Sequence, residues 1–383
     1  MKKKVYRISI AIVSILLGVG IVYGIAFFGK KGVGPVDNLL GSIGNGISYI
    51  ENKLILNKRE QSRSKHLQWF SAAELKSGDV PKILYGAYDD HVSDTYQSVV
   101  DLEDSLRTVF PIIQLYTAWG SKPEQQFPKS RIRAISQIGS VPLITWEPWL
   151  SDFTQDEYPT IPAKDKRDKF QLKAIASGTY DNYVRKWAMD AKEAKVPLFL
   201  RFGHEMNDPY RYPWGPQNNN PEDFIKAWKH VVDQFRAIGA TNVIWVWSPH
   251  LAYGDYDLYY PGNEYVDWVS VGTLNYGTVA SWSSWYTFRE IFGNYYPQIS
   301  KYKKPIMISE FGSLATGGNR EKWYKDALRS IPVKYPLVKS VVFFHVSNDA
   351  TTTDKALNWY IKYDQNIVKS VARIINNEDK PDE

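Results

Sequence analysis

Two glutamates, Glu205 and Glu310, each follow a short apolar stretch of the sequence. Glu205 lies in Arg-Phe-Gly-His-Glu-Met-Asn at 201–207, at the end of the mostly apolar residues 198–202, and Glu310 follows residues 306–308. A folding core does not require charged side chains at the end of a buried strand, so we interpret both as site residues. Two carboxyl groups on either side of a bond between sugars can cleave it, one as nucleophile and the other as acid and then base.

This chemistry needs a different protonation state for each carboxyl group. Glu310 has to be ionised to attack the anomeric carbon, whereas Glu205 has to start protonated. Apolar surroundings and the charge of Glu310 are expected to raise the pKa of Glu205, and that pKa falls once a glycosyl-enzyme has removed the charge. We expect Tyr276 to donate a hydrogen bond to Glu310, and His204 and Asn207 to orient the acid or the substrate hydroxyls.

Apolar segments alternate with amphipathic segments from residue 82 onward. Segments such as 180–194 and 223–238 have apolar residues at helical spacing. Eight strand-helix units predict an α/β fold, a single (β/α)₈ TIM barrel with its site at the C-terminal ends of the strands. An open doubly wound sheet is the alternative, although no Gly-x-Gly-x-x-Gly segment follows the first strand. The predicted strands are 83–87, 112–116, 141–146, 198–202, 243–247, 268–271, 306–308 and 341–344.

Polar and aromatic residues follow the predicted strands. In a parallel barrel they meet in one cleft, because the site is built from the ends of several strands. Aromatic rings can pack against the apolar face of a sugar, and the chain has 14 Trp, 26 Tyr and 16 Phe. Trp119 and Trp282 are further candidates for such packing. The predicted substrate-binding residues are His204, Asn207, Tyr276, Trp146, Glu147, Trp149, Trp214, Trp247, His250 and His345.

The overall composition excludes some functions. The formal net charge of +6 is modest, and basic residues beyond the N-terminus are mixed with acidic ones, so we expect no nucleic-acid partner. Cysteine is absent, which excludes disulfides, thiolate metal sites and cysteine nucleophiles. The predicted chemistry requires no cofactor.

The N-terminal segment predicts a membrane element. Residues 8–28 are almost wholly apolar and uncharged, long enough to span a hydrocarbon layer of roughly 30 Å. Basic residues before the segment predict a cytoplasmic N-terminus, with the rest of the chain outside the cell. Secretion after cleavage of a signal peptide is the alternative. We therefore predict a stub and membrane anchor at 1–31, a stalk at 32–80, a hydrolase domain at 81–375 and a polar tail at 376–383.

Several segments together resemble glycoside hydrolase family 26. The resemblance covers about residues 82–369, and it implies a retaining barrel enzyme with Glu205 as acid/base and Glu310 as nucleophile. It also implies that Tyr276 lies beside Glu310 and that His204 replaces the asparagine usual in the wider clan. The segments are Arg-Phe-Gly-His-Glu-Met-Asn at 201–207, Tyr-Pro-Trp-Gly at 212–215, Trp-Val-Trp-Ser-Pro at 245–249, Ile-Ser-Glu-Phe-Gly at 308–312 and Trp-Glu-Pro-Trp at 146–149.

Members of that family are chiefly endo-β-1,4-mannanases, and some act on mixed-linkage β-glucan or on xylan. The resemblance therefore implies cleavage within a β-1,4-linked polysaccharide, β-mannan or β-glucan. Residues 343–348 read Phe-Phe-His-Val-Ser-Asn where members often have a tryptophan. Residues 208–212 read Asp-Pro-Tyr-Arg-Tyr where mannanases usually have glycine and then tryptophan. These departures leave the identity of the sugar open.

Two other functions are compatible with the same residues. His91, His204, His250 and His345 all follow predicted strands, so a metal-dependent barrel hydrolase is one alternative. Neither His-x-His nor His-Glu-x-x-His spacing supports it. A catalytically silent carbohydrate-binding protein at the cell surface is the other, and the presence of both carboxyl groups argues against it.

Overall fold

Eight parallel strands close into a barrel in the computed structural model, which describes residues 71–80, 82–90, 96–352 and 356–378. Each strand pairs with its neighbours in chain order, and the last strand pairs with the first. The predicted barrel is confirmed, and the open sheet is excluded. The strands are β1 (Leu84–Asp89), β2 (Ile112–Ala118), β3 (Val141–Glu147), β4 (Leu198–Phe202), β5 (Val243–Trp247), β6 (Trp268–Asn275), β7 (Ile306–Ser313) and β8 (Val338–His345).

Several strands continue past the apolar residues that predict them. The predicted ends of β4 and β5 agree with the structure, but β6 runs on to Asn275 and β7 to Ser313. The polar residues at these ends keep their ladder partners, such as Asn275 opposite Ser313. Polar side chains of the site therefore lie on the strands themselves.

Helices surround the barrel and bury one face against it. In α6 (Pro221–Ile238), the apolar residues predicted from their spacing, including Phe224, Trp228 and Phe235, are buried. Pro221 starts that helix, and Gly239 ends it at φ 82°. The α-helices of the described part are α1 (Ala72–Ser77), α2 (Gln97–Leu106), α3 (Lys129–Gln137), α4 (Gln171–Ala176), α5 (Asp181–Ala194), α6 (Pro221–Ile238), α7 (Tyr256–Tyr259), α8 (Tyr296–Ser300), α9 (Arg320–Lys334) and α10 (Gln365–Ile375).

Helix α1 lies at the N-terminal end of the barrel. Ser71 and Glu74 form a reciprocal capping box at its start, and Gly78 ends it in the left-handed conformation. Leu75 packs with inward-facing barrel residues such as Phe199 and Trp268. The indole nitrogen of Trp268 donates to the carbonyl of Leu75 at 2.6 Å. Residues 71–80, which the sequence analysis places in the stalk, thus pack against the barrel.

The predicted membrane anchor at 8–28 lies outside the described residues, as do most of the stalk and the last five residues of the tail. A search of the described residues finds no helix that is both long and apolar enough to span a membrane.

Leu75→Ala should lower the free energy of unfolding by about 2–5 kcal/mol, because it leaves a cavity among fully buried side chains. Leu258→Ala is the matched control, since Leu258 is 55% exposed and its truncation should change stability by less than about 0.5 kcal/mol. Chemical denaturation of the full chain measures both. Equal losses in the two variants would contradict the packing of α1 described above.

Candidate active site

A bulge in β7 positions Glu310. Val271 of β6 pairs with Ile308, but the next residue, Gly272, pairs with Glu310, so Ser309 is an extra residue in the ladder. The pairing of β7 with β8 also shifts between Ile308 and Phe311. Bulges redirect the side chains that follow them. Here the bulge places the Glu310 carboxyl group at the mouth of the barrel.

One oxygen of Glu310 accepts two hydrogen bonds, from side chains on β2 and β4. Arg201 Nη2 donates to Oε1 at 2.6 Å, and the Tyr116 hydroxyl donates to the same oxygen at 2.7 Å. Burial alone would raise the pKa of Glu310, but the charge and hydrogen bond of Arg201, helped by Tyr116, bring it below the ordinary value. Glu310 is therefore ionised, as a nucleophile must be.

The Arg201 side chain is buried and fixed by hydrogen bonds to several residues. Its side chain is 1% exposed, and besides Glu310 it donates to Thr145 at 2.9 Å, to Ser309 at 2.8 Å and to Tyr116 at 3.2 Å. A buried guanidinium needs this number of partners to compensate for its lost hydration. Arg201 fixes the position and the charge of Glu310 together.

Glu205 lies on a tight turn directly after β4. Its φ is 53° and that of Gly203 is 51°. Both angles lie in the left-handed region of backbone conformation, which residues other than glycine rarely adopt. The amide of Glu205 donates to the Ser248 carbonyl at 2.7 Å, and its carbonyl accepts from the Asp208 amide at 2.9 Å. These bonds hold the turn and direct the Glu205 side chain toward Glu310.

The environment of Glu205 favours the protonated acid. The residue is 7% exposed, and its Oε2 accepts no hydrogen bond from the described residues. Burial raises the pKa of Glu205, and the charge of Glu310 raises it further. His250 and Arg211 oppose this shift, the latter from 3.8 Å. Burial prevails, so Glu205 has a higher pKa than Glu310.

Gly272 lies between the two carboxyl groups. A Cβ at this position would be 3.6 Å from Oε2 of Glu310 and 3.7 Å from Oε1 of Glu205. The oxygen of Glu310 that faces Glu205 is therefore the one that accepts neither of the two hydrogen bonds described above. The absence of a side chain on Gly272 leaves space next to both carboxyl groups.

His204 lies beside the acid in an aromatic cage. Its Nε2 is 3.0 Å from the Tyr212 hydroxyl, and its ring packs against those of Tyr212 and Trp214. Burial, followed by the charges of Arg201 and Arg211, lowers the pKa of His204 well below its ordinary value. His204 is therefore neutral, and its Nδ1 has no partner among the described residues.

The sequence profile of glycosyl hydrolase family 26 matches residues 124–367, which include both glutamates and six of the eight strands, β3 to β8. The chain belongs to this family. The resemblance found in the sequence is thereby confirmed.

Two curated proteins are similar to this chain in sequence. Endoglucanase H of Acetivibrio thermocellus is 36% identical over 234 residues, which are 59% of this chain and 23% of that protein. The mannan endo-1,4-beta-mannosidase of Bacillus subtilis is 26% identical over 207 residues, 51% of this chain and 50% of that protein. The chain thus spans half or less of the length of these relatives.

Solved family 26 structures share the fold. The catalytic domain of the Bacillus sp. JAMB-750 endo-beta-1,4-mannanase superposes with a TM-score of 0.58 at 16% identity, covering 80% of this chain and 88% of that one. A modular endo-beta-1,4-mannanase from Cellulomonas fimi gives 0.56 at 16% identity, covering 82% and 74%.

Three of the predicted substrate contacts lie at the cleft of this family 26 barrel. Glu147 and Trp149 are partly exposed at the end of β3, and burial raises the pKa of Glu147 to about 7. His250 is also partly exposed, and its ring packs 4.6 Å from that of Tyr253. Each of the three leaves part of its side chain accessible to a sugar.

Four tryptophans predicted as sugar platforms are instead buried, so the prediction is wrong for them. Trp119 and Trp146 pack against each other at 4.5 Å in the layer between strands and helices. Trp247 donates to the Tyr259 carbonyl, and Trp214 donates to the His204 carbonyl and stacks on Tyr212. Each is at most 1% exposed and cannot contact a sugar.

Asn207 and His345 also have other roles than those predicted. The Asn207 amide is satisfied by the backbone: it donates to the carbonyls of His250 and Gly254 and accepts from the His250 amide. It therefore secures the loop after β5. His345 is 1% exposed, with Nδ1 2.7 Å from Asp89, so it pairs the ends of β8 and β1.

Tyr116, not Tyr276, holds Glu310. Among the described residues Tyr276 donates no hydrogen bond to Glu310, because its ring is fixed edge-on against Trp282 and Trp359. Sequence reasoning missed Tyr116, which lies on β2 two residues after Gln114, on the inward face of the strand. The presence of a tyrosine in an otherwise mostly apolar strand could have indicated that Tyr116 belongs to the site.

No two of the described histidines lie in the same group of possible metal ligands. His91 lies outside the described residues, and His204 and His345 are engaged as above. Within the described ranges, one group of possible ligands has its atoms within 4.8 Å of one another, formed by Glu205, Asp208 and His250. Arg211, 3.8 Å from Glu205, opposes the binding of a cation there.

Exposed aromatic rings border the cleft. Trp282, predicted as a platform, is 61% exposed and packs against Tyr276. Tyr210 and Tyr253, which the sequence analysis did not single out, are 82% and 38% exposed with ring centroids 5.9 Å apart. These three rings have the accessible area that sugar stacking requires.

Tyr116→Phe should move the acid limb of the pH–kcat/KM profile to higher pH by up to about one unit. The phenol stabilises ionised Glu310, so its loss raises the pKa of Glu310, and the enzyme needs the ionised form. Tyr276→Phe is the matched control and should leave this limb in place. A shift in the control and none in Tyr116→Phe would restore the role predicted for Tyr276.

Gly272→Ala should fold normally and lose most of its turnover. The added methyl would be in ordinary van der Waals contact with both carboxyl groups, so the protein accommodates it, but it fills the space for the sugar. Thermal melting and kcat/KM measure the two effects. Wild-type turnover in a correctly folded variant would contradict the position assigned to the reacting bond.

Proposed function

We propose that this chain is an endo-acting, retaining glycoside hydrolase that cleaves a β-1,4-linked polysaccharide of the mannan or glucan type. The observation that carries the proposal is the pair of carboxyl groups that face each other across Gly272. Glu310 is ionised because of Arg201, whereas burial favours protonated Glu205. Two neighbouring carboxyl groups with pKa values shifted in opposite directions define a nucleophile and an acid.

In the first step, Oε2 of Glu310 attacks the anomeric carbon while Glu205 donates its proton to the departing oxygen. The glycosidic bond breaks, and an ester forms between the sugar and Glu310. This ester removes the negative charge of Glu310, which is one of the causes of the raised pKa of Glu205.

In the second step, ionised Glu205 takes a proton from water, and the resulting hydroxide attacks the anomeric carbon. The ester bond breaks, Glu310 becomes a carboxylate again and recovers its hydrogen bonds from Arg201 and Tyr116. Two inversions at one carbon leave the configuration of the sugar unchanged.

The proposed substrate class follows from the names of the relatives and from the cleft. The relatives are called an endoglucanase and mannan endo-1,4-beta-mannosidases, which supports internal cleavage of a β-linked glucan or mannan. The accessible rings of Trp282, Tyr210 and Tyr253 offer stacking surfaces for such a polymer.

Glu205→Gln and Glu310→Gln should each reduce turnover of mannan and mixed-linkage glucan by several orders of magnitude. Glu193→Gln, at an exposed position on α5, is the control and should keep wild-type activity. Proton NMR of the first products should show the β-anomer. Near wild-type rates in either active-site variant, or an α-anomer as first product, would refute the mechanism.

The two alternative functions predict other results. A metal-dependent hydrolase would lose activity in EDTA, whereas the proposed mechanism keeps it. A silent binding protein would bind glycans and release no oligosaccharide from any of them.

We also propose that residues 8–28 anchor the chain in the membrane with the barrel outside the cell. Their apolar, uncharged sequence between basic residues supports this arrangement. Fractionation of cells, followed by protease treatment of intact cells, should find the barrel with the membrane and digested from outside. A soluble intracellular barrel would refute the anchor.

A further inference from the structure

Arg211 is a charged group of the cleft that the proposed hydrolytic mechanism does not use. It lies in the loop 208–212, shortly after the turn that carries Glu205. Its Nη1 is 3.8 Å from Oε2 of Glu205, beyond hydrogen-bond distance, and its guanidinium carbon is 5.4 Å from the centroid of the Tyr212 ring. The side chain is 44% exposed and, among the described residues, donates no hydrogen bond.

The contrast with Arg201 is informative. Arg201 is 1% exposed, and its donors are taken by Glu310, Thr145, Ser309 and Tyr116. Arg211 is 44% exposed, and its Nη1 lies 3.8 Å from Oε2 of Glu205. A guanidinium presents two parallel N–H groups that match the two oxygens of a carboxylate, so an unoccupied one in a concave site suits an anionic ligand.

Among the described residues, Arg211 has an ion pair with Glu205 alone, and this pair exists only while Glu205 is ionised. Arg201 neutralises Glu310, and Glu205 has to be protonated when the substrate binds. Glu147, another carboxyl group of the cleft, has a pKa raised by burial to about 7, so it is mostly neutral in mildly acidic solution. A substrate with a negative charge would supply the missing partner.

We infer that Arg211 binds a carboxylate carried by the sugar chain, so that the preferred substrate is an acidic β-linked glycan. The inference rests on the proposed function and narrows its substrate class. The same loop provides Tyr210, whose ring is 82% exposed, so a sugar can stack on the loop while its carboxylate reaches Arg211.

Such a contact would also assist the chemistry. The charge of Arg211 is one of the causes that lower the pKa of Glu205. A carboxylate bound to Arg211 offsets that charge, so Glu205 retains its proton more firmly when an acidic sugar is bound. An acidic substrate would therefore extend the alkaline limb of the rate profile relative to a neutral one.

The test compares carboxymethyl and hydroxyethyl derivatives of one β-1,4-glucan and of one β-1,4-mannan, matched in degree of substitution. The full chain should cleave the carboxymethyl form with a kcat/KM at least about tenfold higher, mainly through a lower KM. Arg211→Gln should abolish this preference, and Arg211→Lys should retain part of it, because lysine keeps the charge and loses the paired geometry.

Arg133→Gln is the control for net charge, since Arg133 is exposed on α3 and changes the charge by the same amount. It should keep the full preference. Equal loss in this variant would assign the preference to the overall charge of the protein. If Arg211→Gln lowers kcat/KM by the same factor on both derivatives, Arg211 acts through Glu205 alone. This result, or a loss of the preference in Arg133→Gln, would overturn the inference.

Binding separates this inference from the proposed hydrolysis. The full-length Glu310→Gln variant, titrated calorimetrically with carboxymethyl and hydroxyethyl oligosaccharides, should bind the former more tightly, and adding Arg211→Gln should remove the difference. Discrimination in binding without any hydrolysis by the wild type would refute the proposed function alone. Hydrolysis with no discrimination in rate or binding would refute the carboxylate site alone.

Discussion

The ion pair between Arg201 and Glu310 is the interaction on which the rest of the site depends. Burying both charges is costly, and in general removing one partner of such a pair costs about 3–5 kcal/mol. The surrounding bonds offset this cost: Thr145 of β3, Ser309 of β7 and Tyr116 of β2 all accept from Arg201 of β4. Four strands thus converge on one guanidinium. Because this network keeps Glu310 ionised, Glu205 becomes the group that holds the proton.

The sequence was sufficient to predict the barrel and the closeness of Glu205 and Glu310 in it, since each strand has a distinct apolar stretch and each glutamate follows one. It was not sufficient for the partners of those carboxyl groups. Strands buried on both faces show little alternation of apolar and polar residues, so the sequence does not say directly which side chains point inward. The β7 bulge also resists prediction, because one inserted residue leaves no mark in composition.

The errors among the tryptophans have one geometric cause. Successive side chains of a strand point to opposite faces. In β5, Ile244 and Val246 pack inside the barrel, so Trp247 has to face the helices. In β3, Leu143 lies inside, which places Trp146 outside and Glu147 at the mouth. Applied to β4, the same rule starts from inward-facing Phe199 and identifies Arg201 as a site residue. An aromatic residue near a strand end therefore indicates a sugar contact only on the inward face.

The left-handed conformation of Glu205 lowers the stability of the fold. A side chain in that conformation costs about 1–2 kcal/mol relative to glycine, and this one also buries an oxygen without a hydrogen bond. A barrel without need of the carboxyl group would be more stable with glycine at this position. Folding stability alone would favour glycine at this position. The presence of a strained glutamate therefore indicates, from this one sequence, that the carboxyl group is retained for a purpose other than stability.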